Sequence, residues 1–281
     1  MGDHYVPQYY LKGFSQNNGK GIWVYDKVEQ RKFTTQIKSV GNITKFYSEE
    51  VEQYLANTIE NPANDVLRKI RNRQTIDKNE KVTLAEYMAV MFKRVPKGKE
   101  RLRELAPSIC EELYSEINEE LLQIAIAQPD KSHIAKKRIS ESREILDRYS
   151  KDPPKQIWLD NIPPDRSPQI VEALVGMTWR FMECNDTIGF MTSDNPLFYF
   201  TGMGVGKPES EVAFPISKSI LLWATWRTDL PIGYLPTKSQ FVKEMNRRIV
   251  SEATRYVFAT MDEDWILPFV LKGAWKLHLM K

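Results

Sequence analysis

The 281-residue chain has only two cysteines, Cys110 and Cys184, and only three histidines. The thiols lie far apart with no local partner, which argues against a disulfide frame and for buried free thiols in a reducing compartment. No His/Cys cluster has zinc spacing. No apolar run approaches the roughly 20 residues that span a bilayer, and no basic stretch followed by an apolar one opens the chain. A cytoplasmic protein without membrane contact is expected. Glycine is sparse, and no phosphate-cradling loop or dinucleotide fingerprint occurs. Gly202, Gly204 and Gly206 lack the helix such a fingerprint needs and read as a loop. There is no Gly-x-Ser-x-Gly elbow, and no arginine precedes His133 or His278 at the spacing of a common RNase class. Charge of one sign is lacking too: 40 Lys and Arg stand against 37 Asp and Glu. Bulk charge therefore does not mark a nucleic-acid binder. No repeat or low-complexity tract is present.

What is there begins at the opening, His4-Tyr5-Val6-Pro7-Gln8-Tyr9-Tyr10-Leu11-Lys12-Gly13-Phe14. So much apolar area so early must be buried, since exposing it costs about 25 cal/mol per Å²; the expected cover is the C-terminal strands. After the turn cluster at 17–21, residues 22–26 and 31–35 read as a hairpin. Helical spacing then holds from about Glu49 through Ile70. It is clearest for Leu84, Tyr87, Met88, Met91 and Val95, limited by Pro96. Residues 99–126 and 131–149 read as two long, charge-rich, partly exposed helices with i,i+4 pairs, forming an insert or lid at about 99–150. Prolines 153, 154, 163, 164 and 168 mark a linker. Ile170 to Met182 reads as one deeply buried helix. Strand-like stretches follow at 187–192, 197–200, 212–214 and 220–226, then a helix at about 239–253 and a strand at 256–260. The expected fold is a single α+β domain over 1–281, with a mixed or antiparallel sheet from N- and C-terminal strands and a helical middle.

Three polar residues sit in apolar surroundings. Asp194, in Thr192-Ser193-Asp194-Asn195-Pro196, follows a strand: it is either part of a polar site or an Asx-type strand stop. His4 is either an acid–base group or a structural histidine packed on Tyr5 or Tyr10. Arg94 either clamps a phosphate or carboxylate or pairs with an acid such as Glu60. The basic run Lys136-Lys137-Arg138 is a weak nucleic-acid signal.

Taken together, the blocks resemble a prokaryotic domain-of-unknown-function family, number 4238. They are the opening His4 to Phe14, Ile22-Trp23-Val24-Tyr25-Asp26-Lys27, Ile59-Glu60, Arg94-Val95-Pro96, Thr192 to Pro196 and Phe214-Pro215-Ile216-Ser217. Where that family often has Arg-Thr-Pro, this chain has Arg-Val-Pro. Some members are linked to phage defence, so the resemblance implies an abortive-infection effector and favours one shared site for His4, Arg94 and Asp194. The expected activity is a nuclease or phosphodiester hydrolase on RNA or DNA. Asp194 and Glu60 would hold Mg²⁺ or Mn²⁺, His4 would move protons, Arg94 would clamp phosphate, and Tyr10, Ser193 and Asn195 would contact substrate. The alternative is a non-catalytic sensor of a nucleotide or a phage-encoded trigger.

Overall fold

A computed structural model describes residues 2–16, 19–185, 189–272 and 275–280. The chain forms two compact units, Met1–Pro96 with Pro163–Lys281, and Lys97–Ile162. The fold is α+β.

Among the described residues the first unit holds two main sheets and a two-stranded ribbon, Asp3–His4 with Asn42–Ile43. A four-stranded antiparallel sheet runs in the order Arg31–Thr35, Ile22–Asp26, Tyr256–Ala259, Thr192–Ser193. The N-terminal hairpin is thus stitched to C-terminal strands. Its strands are rich in β-branched and aromatic residues, and its turn is held by Asp26, whose Oδ1 accepts the backbone N–H of Val28 and Glu29. A five-stranded sheet runs Gly233–Pro236, Thr178–Glu183, Ile220–Thr225, Glu211–Ser217, Phe198–Tyr199, and only its first pair is parallel. Of the expected strand at 187–192, residues 187 and 188 lie outside the described residues, as do 17 and 18 of the turn cluster.

The opening segment is buried as its composition demands, but as a helix. Pro7 precedes a single turn at Gln8–Leu11, continued by a tighter one at Lys12–Phe14. Tyr5, Val6, Tyr10, Leu11 and Phe14 are buried. Tyr10 stacks on Phe214 at 5.2 Å, the Phe14 carbonyl accepts the Thr260 hydroxyl, and the Gly13 carbonyl accepts the Lys218 N–H. A Cβ on Gly13 would fall 2.6 Å from the Ile216 carbonyl, so glycine is required for this approach.

The Lys78–Arg94 helix starts at a capping box, Asp77 and Glu80 each accepting the other's backbone N–H at 2.9 Å. It stops because Val95, preceding proline, is extended (ψ 161°), and Pro96 opens the next helix. Its apolar face, Leu84, Tyr87, Met88 and Met91, is fully buried.

One expected helix divides. Residues 168–176 are helical, but Thr178–Glu183 is a central strand. Gly176 ends the helix; a Cβ there would meet the Trp226 ring at 2.9 Å. A strand buried on both faces carries a near-continuous apolar run, which imitates a broad helical stripe. The proline-rich stretch also carries a short helix, Lys155–Asp160.

The second unit is built on the helices Pro96–Ala127 and Ser132–Lys151, whose buried residues are only Gly98, Ala106 and Ala135. Trp158 and Leu159 of the short helix are buried as well. Leu105, Ile109, Leu113, Leu122 and Ile126 are exposed. Neither cysteine is in a disulfide; Cys110, on the first of these helices, is half-buried, whereas Cys184 is buried. Among the described residues no helix is long and apolar enough to cross a membrane.

Candidate functional site

The residues singled out in the sequence fall into two polar clusters of the first unit. The first gathers around Arg94, in the last turn of its helix and 2 % exposed. Its guanidinium donates to Glu60 Oε1 at 2.6 Å and to the backbone carbonyl of His4 at 2.6 Å, with Nε 3.4 Å from the Tyr47 hydroxyl. That hydroxyl donates back to the Arg94 carbonyl at 2.6 Å. Burial opposes the arginine charge, but Tyr47 and Glu60 outweigh it and hold the group above its ordinary pKa. Glu60 is placed by an over-wide turn, Leu55–Glu60, where the helix makes i→i+5 bonds. His4 belongs to the two-residue strand Asp3–His4, paired with Asn42–Ile43. Arg94 therefore grips the histidine's backbone; the ring points elsewhere, Nε2 lying 3.3 Å from the Lys38 carbonyl. Burial lowers the imidazole pKa, only partly offset by that carbonyl and by Glu60.

The second cluster is centred on Asp194, 4 % exposed. Its Oδ1 accepts the N–H of Thr254 at 2.8 Å, and Oδ2 accepts those of Arg255 at 2.7 Å and Tyr256 at 2.9 Å. The carboxylate thus fastens the chain leaving the 239–252 helix onto the neighbouring sheet edge, rather than turning its own backbone. Burial pushes its pKa up to about 6, against the pull of the three amides and the Lys27 charge. Asn195 donates Nδ2 to the Glu252 carbonyl and carboxylate, and its backbone N–H to Ser193 Oγ; its own Oδ1 is buried without a partner. The Tyr10 hydroxyl shares a 2.7 Å hydrogen bond with Thr192 Oγ1. Tyr10, Ser193 and Asn195, expected to contact substrate, have no exposed surface at all.

Tyr5 is buried, which raises its phenol pKa, and the charge of Asp194 pushes it further. His4, Arg94 and Glu60 are brought together, then, as are Ser193, Asp194 and Asn195, but each group is tied into backbone. Tyr47, Tyr5 and Lys27 complete this frame; no sequence signal separated them from other aromatics and lysines.

The donor set does not suit Mg²⁺ or Mn²⁺. Three N–H dipoles already converge on the Asp194 oxygens, where their positive ends oppose a cation, and Arg94 occupies Glu60 Oε1. Among the described residues no group of three or more His, Cys, Asp or Glu side chains is placed to hold a metal. The two carboxylates expected to share a metal, Asp194 and Glu60, thus lie in different clusters, each engaged by the chain's own donors.

A cavity of about 300 Å³ lies elsewhere, where the ends of the two sheets meet. Phe190, Met191, Trp265 and Ile266 form its apolar walls; Lys218, Ser219 and Glu263 supply the polar groups. None of His4, Glu60, Tyr10, Arg94, Ser193, Asp194 or Asn195 lines it. This mixture, largely apolar with a few polar groups, is that of a small-molecule site. Its walls come from segments near 190, 218, 260 and 265, and no motif in the sequence announces them.

Against known proteins, the chain matches the family described as "Protein of unknown function (DUF4238)" over residues 3–263. No curated protein and no solved structure matches it.

Proposed function

Given that the chain belongs to this family, whose description carries no activity, we propose that it is a ligand-recognition protein, a sensor rather than a nuclease. Its ligand is a small molecule bearing a flat, nucleobase-like group. The observation that carries this reading is the division of labour in the first unit. The buried polar residues spend their hydrogen bonds on the chain's own backbone, while the cavity keeps aromatic and aliphatic walls beside Lys218, Ser219 and Glu263. Trp265 offers a face for stacking, and Glu263 an acceptor for an amino or hydroxyl group. The anti-phage role implied by the family resemblance then operates through detection of a nucleotide or of a phage-encoded trigger in the bacterial cytoplasm.

The test is calorimetric titration of the full chain with the four common nucleosides, alongside incubation of RNA, DNA and nucleotides with and without Mg²⁺ or Mn²⁺. Stoichiometric nucleoside binding that is lost in Trp265→Ala, with no product formed, is the expected result. A metal-free hydrolase is the second reading, favoured by one observation, the near-neutral titration of Asp194. Product formation that disappears in Asp194→Asn while the fold survives would establish it instead.

A further inference from the structure

Resting on that reading of the cavity, we infer that the groove beside it binds the phosphate of the same ligand, making the ligand a nucleotide. The groove is lined by Lys12, Gly13, Ser15, Arg71, Ser217, Lys218 and Ser219, and it shares Lys218 and Ser219 with the cavity. Three cations line it and no acid does.

The cations are not there to neutralise the protein's own carboxylates. Arg71 donates to the carbonyls of Tyr9, Tyr10 and Ile216, and among the described residues it makes no ion pair. This half-buried guanidinium, hydrogen-bonded to neutral carbonyls and lying 5.2 Å from the centroid of the Tyr9 ring, faces no carboxylate counter-charge; burial accordingly lowers its pKa. Lys12 and Lys218 are exposed, and neither makes an ion pair among the described residues. The backbone bond from Lys218 to the Gly13 carbonyl holds the two lysine-bearing segments together. Gly13 lets the opening segment approach Ile216 closely enough for this. Ser219 adds a hydroxyl 3.2 Å from that of Ser217, which already accepts two backbone N–H groups. A compact group of cations with a hydroxyl beside an apolar slot is the arrangement that recognises a phosphate attached to a flat ring.

The experiment compares the four nucleoside 5′-monophosphates with their nucleosides and with inorganic phosphate, titrated into the full chain. At least one monophosphate should bind about tenfold or more tightly than its nucleoside, as charge-assisted hydrogen bonds imply. The gap should narrow in Lys12→Ala, a residue of the groove that does not line the cavity, and shrink at high salt, with nucleoside binding unchanged in that variant. Lys12 is exposed, so the thermal unfolding of the variant should match wild type; should it not, Lys12→Gln carries the comparison. If a nucleoside binds through Trp265 and its monophosphate binds no better, the phosphate groove is wrong and the cavity reading stands. If inorganic phosphate binds as tightly as any monophosphate, the groove is an isolated anion site and the nucleotide claim fails. If neither nucleosides nor monophosphates bind, both readings fall.

Discussion

The Lys78–Arg94 helix of the first unit and the Pro96–Ala127 helix of the second adjoin in sequence and are held by opposite means. In the first, Leu84 to Met91 is buried almost without interruption, and even Lys93 and Arg94 are inside. The second is 32 residues long, yet buries only Gly98 and Ala106 and exposes Leu105, Ile109 and Leu113. Its contacts with the Ser132–Lys151 helix are exposed and polar: Arg143 of that helix, itself paired with Asp147 one turn on, bonds Glu111 and lies over the Tyr114 ring at 4.7 Å. Packing stabilises a helix of any composition, whereas i,i+4 pairs add only a few tenths of a kcal/mol each. Single substitutions should therefore cost much in one unit and little in the other.

The largest effect is expected at the buried polar frame. Arg94→Ala should lose about 3–5 kcal/mol in denaturant unfolding, because it leaves Glu60 and the His4 carbonyl without their donor. Arg94→Lys should recover little, since a single ammonium cannot span both partners. A loss under about 1 kcal/mol would break the contrast between the units.

Next comes the pH dependence of Asp194. Its carboxyl is raised from 3.8 in the unfolded chain to about 6 in the folded one, so the folded state holds the proton more tightly. The resulting stabilisation is complete below about pH 4 and is lost as pH rises through 6, amounting to about 3 kcal/mol over that window. Asp194→Asn should flatten this part of the stability profile. Asp194→Ala should also unfold more readily than the asparagine variant, having no acceptor for the three amides. Identical profiles for wild type and Asn would show that Asp194 keeps an ordinary pKa.

The smallest effect is expected in the second unit. Arg143→Ala should leave the unfolding midpoint almost unchanged, and hydrogen exchange across 99–149 should be faster than across 78–94. Equal, strong protection in both helices would sharpen the comparison in the other direction, showing that a cover for the exposed leucines and isoleucines exists in solution.

Much of the fold was legible because it is encoded locally. The 22–35 hairpin, the apolar face ending before Pro96 and the charged pair of helices each follow from neighbouring residues. The Arg94–Glu60 ion pair, which joins residues 34 positions apart, was named as the alternative to a ligand clamp. The helix-to-strand switch after Gly176 was not legible, because a strand covered on both faces has no alternation to show. Nor was the role of Asp194: its donors lie some sixty residues later in the chain, and the local Ser-Asp-Asn-Pro string reads equally well as a turn. The cavity was the least legible feature, being assembled from four stretches that carry no shared pattern.

The over-wide turn at Leu55–Glu60 sets a limit on how this protein can change length. Such a turn is equivalent to one residue inserted into a regular helix. Deleting any single residue between Leu55 and Ile59 would restore ordinary helical spacing. It would also swing the upstream side chains about 100° around the axis relative to Glu60. The buried residues within the turn, Leu55 and Ile59, and those after it, Ala63, Val66 and Leu67, could then no longer all face inward while Glu60 meets Arg94. The helix tolerates many substitutions at its exposed positions, but its residue count is bound to an ion pair formed with another helix.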